Sequence, residues 1–148
     1  MNNEWRNIPG FDGIYQASVI SGEIRSVDRY QEYVGGRGNV YHKRFLHGKT
    51  IRPQKQQDGK HFSIGLSYKG KVTVYSIQQL IAITFPDICG VYKKGLECHH
   101  IDGDPSNNKP SNILVVTKKE HLKIHSENGA YPNLVRFEKG SVPWNKIS

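Results

Sequence analysis

The chain has few cysteines, no long apolar run and a shortage of acidic residues, and each of these narrows what it can be. Two cysteines in 148 residues, Cys89 and Cys98, cannot build a disulfide framework and lack the C-x-x-C spacing of a zinc or redox motif. Without an apolar stretch near the ~20 residues that cross a bilayer, no membrane span is expected. The first residues, from Met1 to Trp5, carry neither a basic start nor an apolar segment, so no secretory signal is expected either. Acids are scarce, 13 Asp+Glu against 21 Lys+Arg, giving a net charge of +8 and a pI of about 9.5. A reducing cytoplasm and a polyanionic partner follow as expectations. Hydrophobic residues make up 36%, enough for one modest core or two small modules and too little for a large enzyme.

The positive charge is concentrated. Residues 36–60 hold Arg37, Lys43, Arg44, Lys49, Arg52, Lys55 and Lys60 against the single acid Asp58, with Tyr41, His42, Phe45 and His47 interleaved. Such a block neutralises phosphates and gives nucleic-acid affinity that falls steeply with salt. On composition a solvated basic loop fits equally well. Gly35, Gly36 and Gly38 make this stretch read as a flexible loop that orders on a ligand.

Hydropathy periods predict an α+β chain. Residues 11–29 read as a β-hairpin about a Ser21-Gly22 turn, and Phe62, Ile64 and Leu66 alternate up to a Lys69-Gly70 turn from which Val72 and Val74 return. From Ser76, as N-cap, the period becomes helical through Ile77, Leu80 and Ile81, and Pro86 stops the run at Phe85. Residues 91–100 read as the entry to a strand and residues 113–116 as an apolar strand. Residues 117–127 form a helix opened by a Thr117/Glu120 capping box. Residues 128–148, with Gly129, Pro132, Gly140 and Pro143, read as an extended tail. Trp5 and Tyr15 sit in the apolar pattern of the first hairpin and are expected in the core.

Four of the seven histidines lie between Cys98 and His125: His99, His100, His121 and His125. Adjacent residues of a strand face opposite ways, so His99 and His100 can do two different jobs at one place. His121 and His125, four apart on a helix, share a face. Packed together, strand and helix bring His99, His121 and His125 to a point with His100 beside it. Between them, residues 102–112 (DGDPSNNKPSN) form a polar turn region whose side chains bond their own backbone, which gives Asp102 and Asp104 a loop-structuring role. Cys89, Cys98, His121 and His125 are spaced far from the short Cys pair and ~12-residue gap of a zinc finger, so Cys98 is expected as a small core residue. His42, His47 and His61 fall outside the cluster as surface or phosphate-facing side chains.

The run His99-His100-Ile101-Asp102-Gly103, then Asn107-Asn108, Ser111-Asn112-Ile113-Leu114, His121 and His125 resembles the HNH nuclease motif. Upstream, Trp5, residues 8–13 and 15–18, and Gly22-Glu23-Ile24-Arg25-Ser26 are similar to the NUMOD4-like module found before HNH motifs in phage and intron-encoded homing endonucleases. Residues 51–53, 62–66 and 79–85 match how such proteins continue, and residues 139–146 resemble a tail element of some members. The resemblance covers roughly residues 4–127.

The resemblance implies an N-terminal antiparallel β module with a short helix over residues 1–90, a ββα-metal (His-Me finger) hairpin over 91–128 and a tail over 129–148. It implies His99 and His121 as metal ligands, His125 as a third ligand or a phosphate contact, His100 as general base, and Asn112 as the residue that orients His100 and braces the hairpin. One divalent ion is implied, of Mg, Mn, Zn or Ni without preference. For DNA contacts Arg25, Lys43, Arg44, Arg52, Lys55 and Lys60 are nominated. The function expected is a homing-type HNH endonuclease, nicking double-stranded DNA as a monomer, off the membrane, in the cytoplasm of a bacterial or phage-infected cell. The competing expectation is a DNA-binding protein that uses the same hairpin as a structural metal site. A secreted nuclease toxin is less attractive without a secretion signal.

Overall fold

The structure is a computed structural model and describes residues 4–127; the predicted tail lies outside them. Four small antiparallel sheets and three helices make an α+β fold. Strands β1 (Trp5–Asn7), β2 (Tyr15–Ser18) and β3 (Ile24–Ser26) form the first sheet in sequence order. The predicted hairpin is thus β2–β3, and β1, too short to show a period, adds an edge strand. Tyr15 is buried, and its hydroxyl donates to Ser67 O at 2.8 Å. Trp5 is only half-buried, covered by the Arg25 guanidinium 3.8 Å above its ring.

The second sheet corrects the sequence expectation. Much of the stretch read as a flexible basic loop is β5 (Val40–Leu46), paired residue for residue with β4 (Arg29–Gly35). Alternation gave no sign of it because both faces of this ribbon are largely exposed, so neither needs to be apolar. Cross-strand pairs hold it instead: Tyr30 packs edge-on against Phe45 at 5.1 Å and Tyr33 stacks on His42 at 5.2 Å. Gly36, Gly38 and Asn39 take positive φ at the tip, which places the glycines in the turn.

The third sheet joins β6 (Gln54–Lys55), β7 (Phe62–Tyr68) and β8 (Lys71–Ser76). Its Lys69-Gly70 turn has φ of 51° and 77°, the geometry that matches strand twist. Ser76 stands at the N-cap of α1 (Ile77–Thr84), but its hydroxyl makes no cap bond and accepts from Gln56 Nε2 at 3.1 Å. Pro86 ends α1 and also starts α2 (Pro86–Cys89), where a missing N–H costs nothing. Arg6 clamps this corner, bonding Thr84 O and Asp87 and lying over Phe85.

The last sheet is β9 (Glu97–His100) with β10 (Ile113–Val116), followed by α3 (Lys118–Glu127). The capping box is present: Glu120 N donates to Thr117 Oγ1 at 3.1 Å and Thr117 N to Glu120 Oε2 at 2.8 Å. One cluster of buried side chains gathers Ile8 and Phe11 from the β1–β2 connection, Ile24 from the first sheet, Ile64 and Leu66 from the third, Leu80, Ile81 and Phe85 from the helical corner, and Ile113 from β10. The partner strand of the histidine pair, β10, therefore rests on the same core as the N-terminal sheets.

Candidate metal centre and base

Pairing with β10 fixes β9, with Leu114 opposite His99 and Ile113 opposite His100. Alternation then sends the two imidazoles to opposite sides, both buried, at 3% and 6% exposure. His99 meets the helix, its ring centroid 5.1 Å from His121 and 5.6 Å from His125. Ligand nitrogens of His99, His121 and His125 all lie within 4.8 Å of one another. The His121 Nδ1 faces Glu97 Oε2 at 2.7 Å. Its Nε2 is thereby turned to the His125 Nε2, 2.9 Å away.

Two imidazole nitrogens at that distance, with a third ring beside them, form a set of donors aimed at one place. Burial pushes the His99 imidazole down to about 4, helped by the rings of His121, His125 and His100. His125 is pushed down for the same reasons, burial first and His121 second. The neutral form that burial enforces is the form that ligates metals. The cysteines stand apart from this chemistry: burial raises both thiols to about 12, and Cys89 Sγ donates to Pro110 O at 3.3 Å.

On the other face, His100 Nε2 lies 2.9 Å from Asn108 Oδ1. The amide of Asn108 in turn donates toward Pro105 O, so its oxygen faces the ring and Nε2 carries the proton. Nδ1 is left with its lone pair. Burial lowers the His100 pKa against the opposing pull of the Asn108 bond, so this ring too is neutral at pH 7.

The acceptor expected from Asn112 is thus supplied by Asn108. Asn112 works on the loop: its Oδ1 accepts from Asp102 N at 3.0 Å, and its Nδ2 donates to Asp102 Oδ1 at 2.9 Å and Asn107 O at 2.8 Å. Asp102 also accepts from Asn107 Nδ2 and Asp104 N. These bonds, Asn107 first, draw its carboxyl down to about 2. Asp102 and Asp104 are spent on the loop, as the turn composition predicts.

Gly22 in the β2–β3 turn anchors this loop. Its φ is +75°, and a Cβ there would lie 2.0 Å from Asn108 O. Glycine is needed twice over, for the conformation and for the close approach. Three side chains here were given no part in the histidine cluster by the sequence: Glu97, Asn108, which figured only in the motif's polar loop, and His61, which was set outside the cluster and whose ring lies 5.8 Å from that of His100. Nothing local flags them, since each meets its histidine only after folding.

The nominated cations fall into four places. Lys43 and Arg44 ride on Tyr30 and Tyr33 of the β4–β5 ribbon, at 4.7 and 5.2 Å. Arg52 lines a cavity of about 410 Å³ with Ser106 and Asn108, while Lys55 and Lys60 line one of about 560 Å³ with Asp104 and Ser106. Arg25, on Trp5, is held by Gln16 Oε1 at 3.0 and 2.8 Å. No helix among the described residues is long and apolar enough to cross a membrane.

Comparison with known proteins agrees with this geometry. Residues 89–123 match the HNH endonuclease family model and residues 3–67 the NUMOD4 motif. The DNA endonuclease I-HmuI of Bacillus phage SP01 is 32% identical over 126 residues, which are 85% of this chain and 59% of that protein. A solved structure described as "DNA binding and cleavage by the HNH homing endonuclease I-HmuI" superposes with a TM-score of 0.63 at 31% identity, again over 85% of this chain and 59% of the other. This chain thus spans about three fifths of the length of that relative. It carries an HNH endonuclease motif preceded by a NUMOD4 motif.

Proposed function

We propose that the chain is a metal-dependent endonuclease that hydrolyses phosphodiester bonds in double-stranded DNA, with His100 as general base and His99, His121 and His125 as metal ligands. The observation that carries this is the division of labour across β9, where His99 joins the imidazole pair of α3 while His100 is gripped at Nε2 by Asn108. Three imidazole nitrogen donors, one backed by a carboxylate, suit a divalent ion and lean toward Zn, Ni or Mn over Mg. When bound, such an ion supplies positive charge to the scissile phosphate and to the leaving 3′-oxygen. His100, with Nε2–H committed to Asn108, uses the Nδ1 lone pair to take a proton from the attacking water. The products are a 5′-phosphate and a 3′-hydroxyl. Asn112 keeps the 102–112 loop closed, so that Asn108 stays beneath the ring.

For DNA binding, the β4–β5 ribbon is the favoured element. A two-stranded ribbon fits a groove, and Lys43 and Arg44 are spread along it on aromatic supports. Arg52, Lys55 and Lys60 flank the loop that carries Asn108, where DNA phosphates approach the base, and Arg25 extends the positive face. In this reading residues 1–90 hold the duplex and residues 91–128 cut it. The chain works as a monomer that nicks one strand, inside a bacterial or phage-infected cell.

The test uses a supercoiled plasmid pool with a randomised insert, incubated with Mg²⁺, Mn²⁺, Ni²⁺ or Zn²⁺ and with a chelator. Metal-dependent nicking that disappears in His100→Ala, while that variant still binds metal and DNA, is expected. Tight DNA binding without cleavage under every metal, or a His100→Ala variant that nicks at the wild-type rate, refutes it.

A further inference from the structure

The turn between β6 and β7 brings a fifth histidine to the site. Asp58 closes this turn by accepting the backbone N–H groups of Lys60 at 2.8 Å and His61 at 2.9 Å through Oδ1, while its Oδ2 meets the His61 Nδ1 at 2.5 Å. Those bonds hold the Asp58 carboxyl well below the usual carboxylate range, the ring of His61 contributing most. The carboxylate therefore stays charged, accepts the His61 Nδ1–H and fixes the ring's orientation. Nε2 is the end available to a ligand.

That ring sits 5.8 Å, centroid to centroid, from His100 and is tilted 44° to it. A base that works through one water reaches a phosphorus two hydrogen-bond lengths away, roughly 5–6 Å. A phosphate placed for attack by His100's water is thus within reach of the neighbouring imidazole. Lys55, Gly59, Lys60 and Phe62 of the same hairpin line the cavity of about 560 Å³ with Gly103, Asp104, Pro105 and Ser106, and two of these eight residues are lysines that can meet an anion. Asp104 is the opposing charge there, and its carboxylate is occupied by the N–H and hydroxyl of Ser106.

A purely structural role explains this arrangement poorly. The His61 and Asp58 side chains are 36% and 44% exposed, and a pair so open to water adds little to stability. An imidazole locked by a carboxylate, half in solvent and beside a buried base, has the form of a preorganised hydrogen-bond donor.

We propose that His61, held by Asp58, is a second active-site imidazole supplied by the N-terminal β module, and that its Nε2–H donates to a non-bridging oxygen of the phosphate being cleaved. The proposal rests on the endonuclease function given above.

The experiment compares wild type, His61→Ala and Asp58→Asn in single-turnover nicking of the plasmid pool at saturating Mn²⁺, with DNA affinity measured separately in chelator. His61→Ala is expected to slow cleavage ~10²-fold, as when one oxyanion donor is removed, with DNA affinity within threefold of wild type. Free imidazole in the buffer should restore part of the rate to His61→Ala and none to His100→Ala. Asp58→Asn should fall between. If circular dichroism shows that His61→Ala does not fold, His61→Phe, which keeps the ring's bulk, carries the same expectation. A His61 variant that cleaves within twofold of wild type, or that loses affinity as much as rate, overturns the inference and leaves the endonuclease function intact. Wild-type protein that fails to cleave with any metal overturns both.

Discussion

Glu97→Ala isolates the metal centre from the rest of the site. Glu97 is not itself a proposed ligand; its Oε2 accepts the Nδ1–H of the proposed ligand His121 at 2.7 Å and so fixes both the tautomer and the direction of Nε2. Carboxylates that hold a ligating histidine in this way contribute 10- to 100-fold in metal affinity. Here the Glu97 side chain is 37% exposed, and water substitutes in part for the lost acceptor. That places the loss at the lower end, about tenfold, or ~1.4 kcal/mol. Glu97→Gln keeps an acceptor oxygen without the charge and should lose about threefold, ~0.7 kcal/mol. The assay is competition for Zn²⁺ against a chromophoric chelator at pH 7.5, alongside the metal-activation curve of plasmid nicking. Both midpoints should move together. At saturating metal the rate should stay within threefold of wild type, because His100 and Asn108 lie on the opposite face of β9. Unchanged midpoints, or a saturated rate that falls while the midpoint holds, would show that Glu97 does not work through the metal.

Other perturbations separate the remaining parts. Asn108→Ala frees the His100 Nε2–H and should lower the single-turnover rate about 10- to 100-fold with little change in DNA affinity. Asn108→Asp keeps an acceptor and adds a negative charge that raises the His100 pKa, so the acid limb of its pH–rate profile should move to higher pH; a profile identical to wild type argues against contact. Gly22→Ala forces a Cβ onto Asn108 O at positive φ and should cost about 1–3 kcal/mol in urea unfolding. That variant should also cleave more slowly at temperatures where it is fully folded, and a normal rate there would dissociate Gly22 from the base. In the metal-free protein, the His99 pKa of about 4 against 6.5 unfolded means that the unfolded chain binds the extra proton first. Stability is then whole above pH 6.5 and falls as the pH drops toward 4, by on the order of 3 kcal/mol. Urea midpoints at pH 7.5 and 4.5 measure this, and an undiminished slope in His99→Gln would refute the assignment.

What could be seen in the sequence depended on whether the signal was local. The α1 helix, the β7–β8 hairpin with its Lys69-Gly70 turn and the Thr117/Glu120 box are each set by residues within a few positions of one another, and all three are present. The β9 histidines were legible for the same reason: alternation alone separates His99 from His100, and a four-residue step aligns His121 with His125. The β4–β5 ribbon was missed because a strand pair exposed on both faces has no reason to alternate in hydropathy. Its order comes from cross-strand rings such as Tyr30 with Phe45, which pair only in register. Ser76 was placed correctly at the N-cap, but its hydroxyl makes no cap bond, since Gln56, just past β6, reaches it. The assignment of the His100 partner to Asn112 instead of Asn108 has a like cause. Both asparagines lie in the same polar loop, and only the folded path of that loop decides which amide faces the ring.

That path is not set by the loop alone. Asp102, Asn107 and Asn112 bond one another and would close the loop in many proteins, yet none of them touches the imidazole of His100. Asn108 does, and its carbonyl is where the β2–β3 turn comes closest, at a residue that must be glycine. The buried face of β10 meets the same cluster as Ile8, Phe11 and Ile24, so the strand beneath the base is seated by side chains from the far end of the sequence. The geometry around His100 is therefore a property of both matched segments together. Substitutions in the first sheet should be felt at the base through Asn108, while the metal side, built from β9 and α3 alone, should be largely deaf to them.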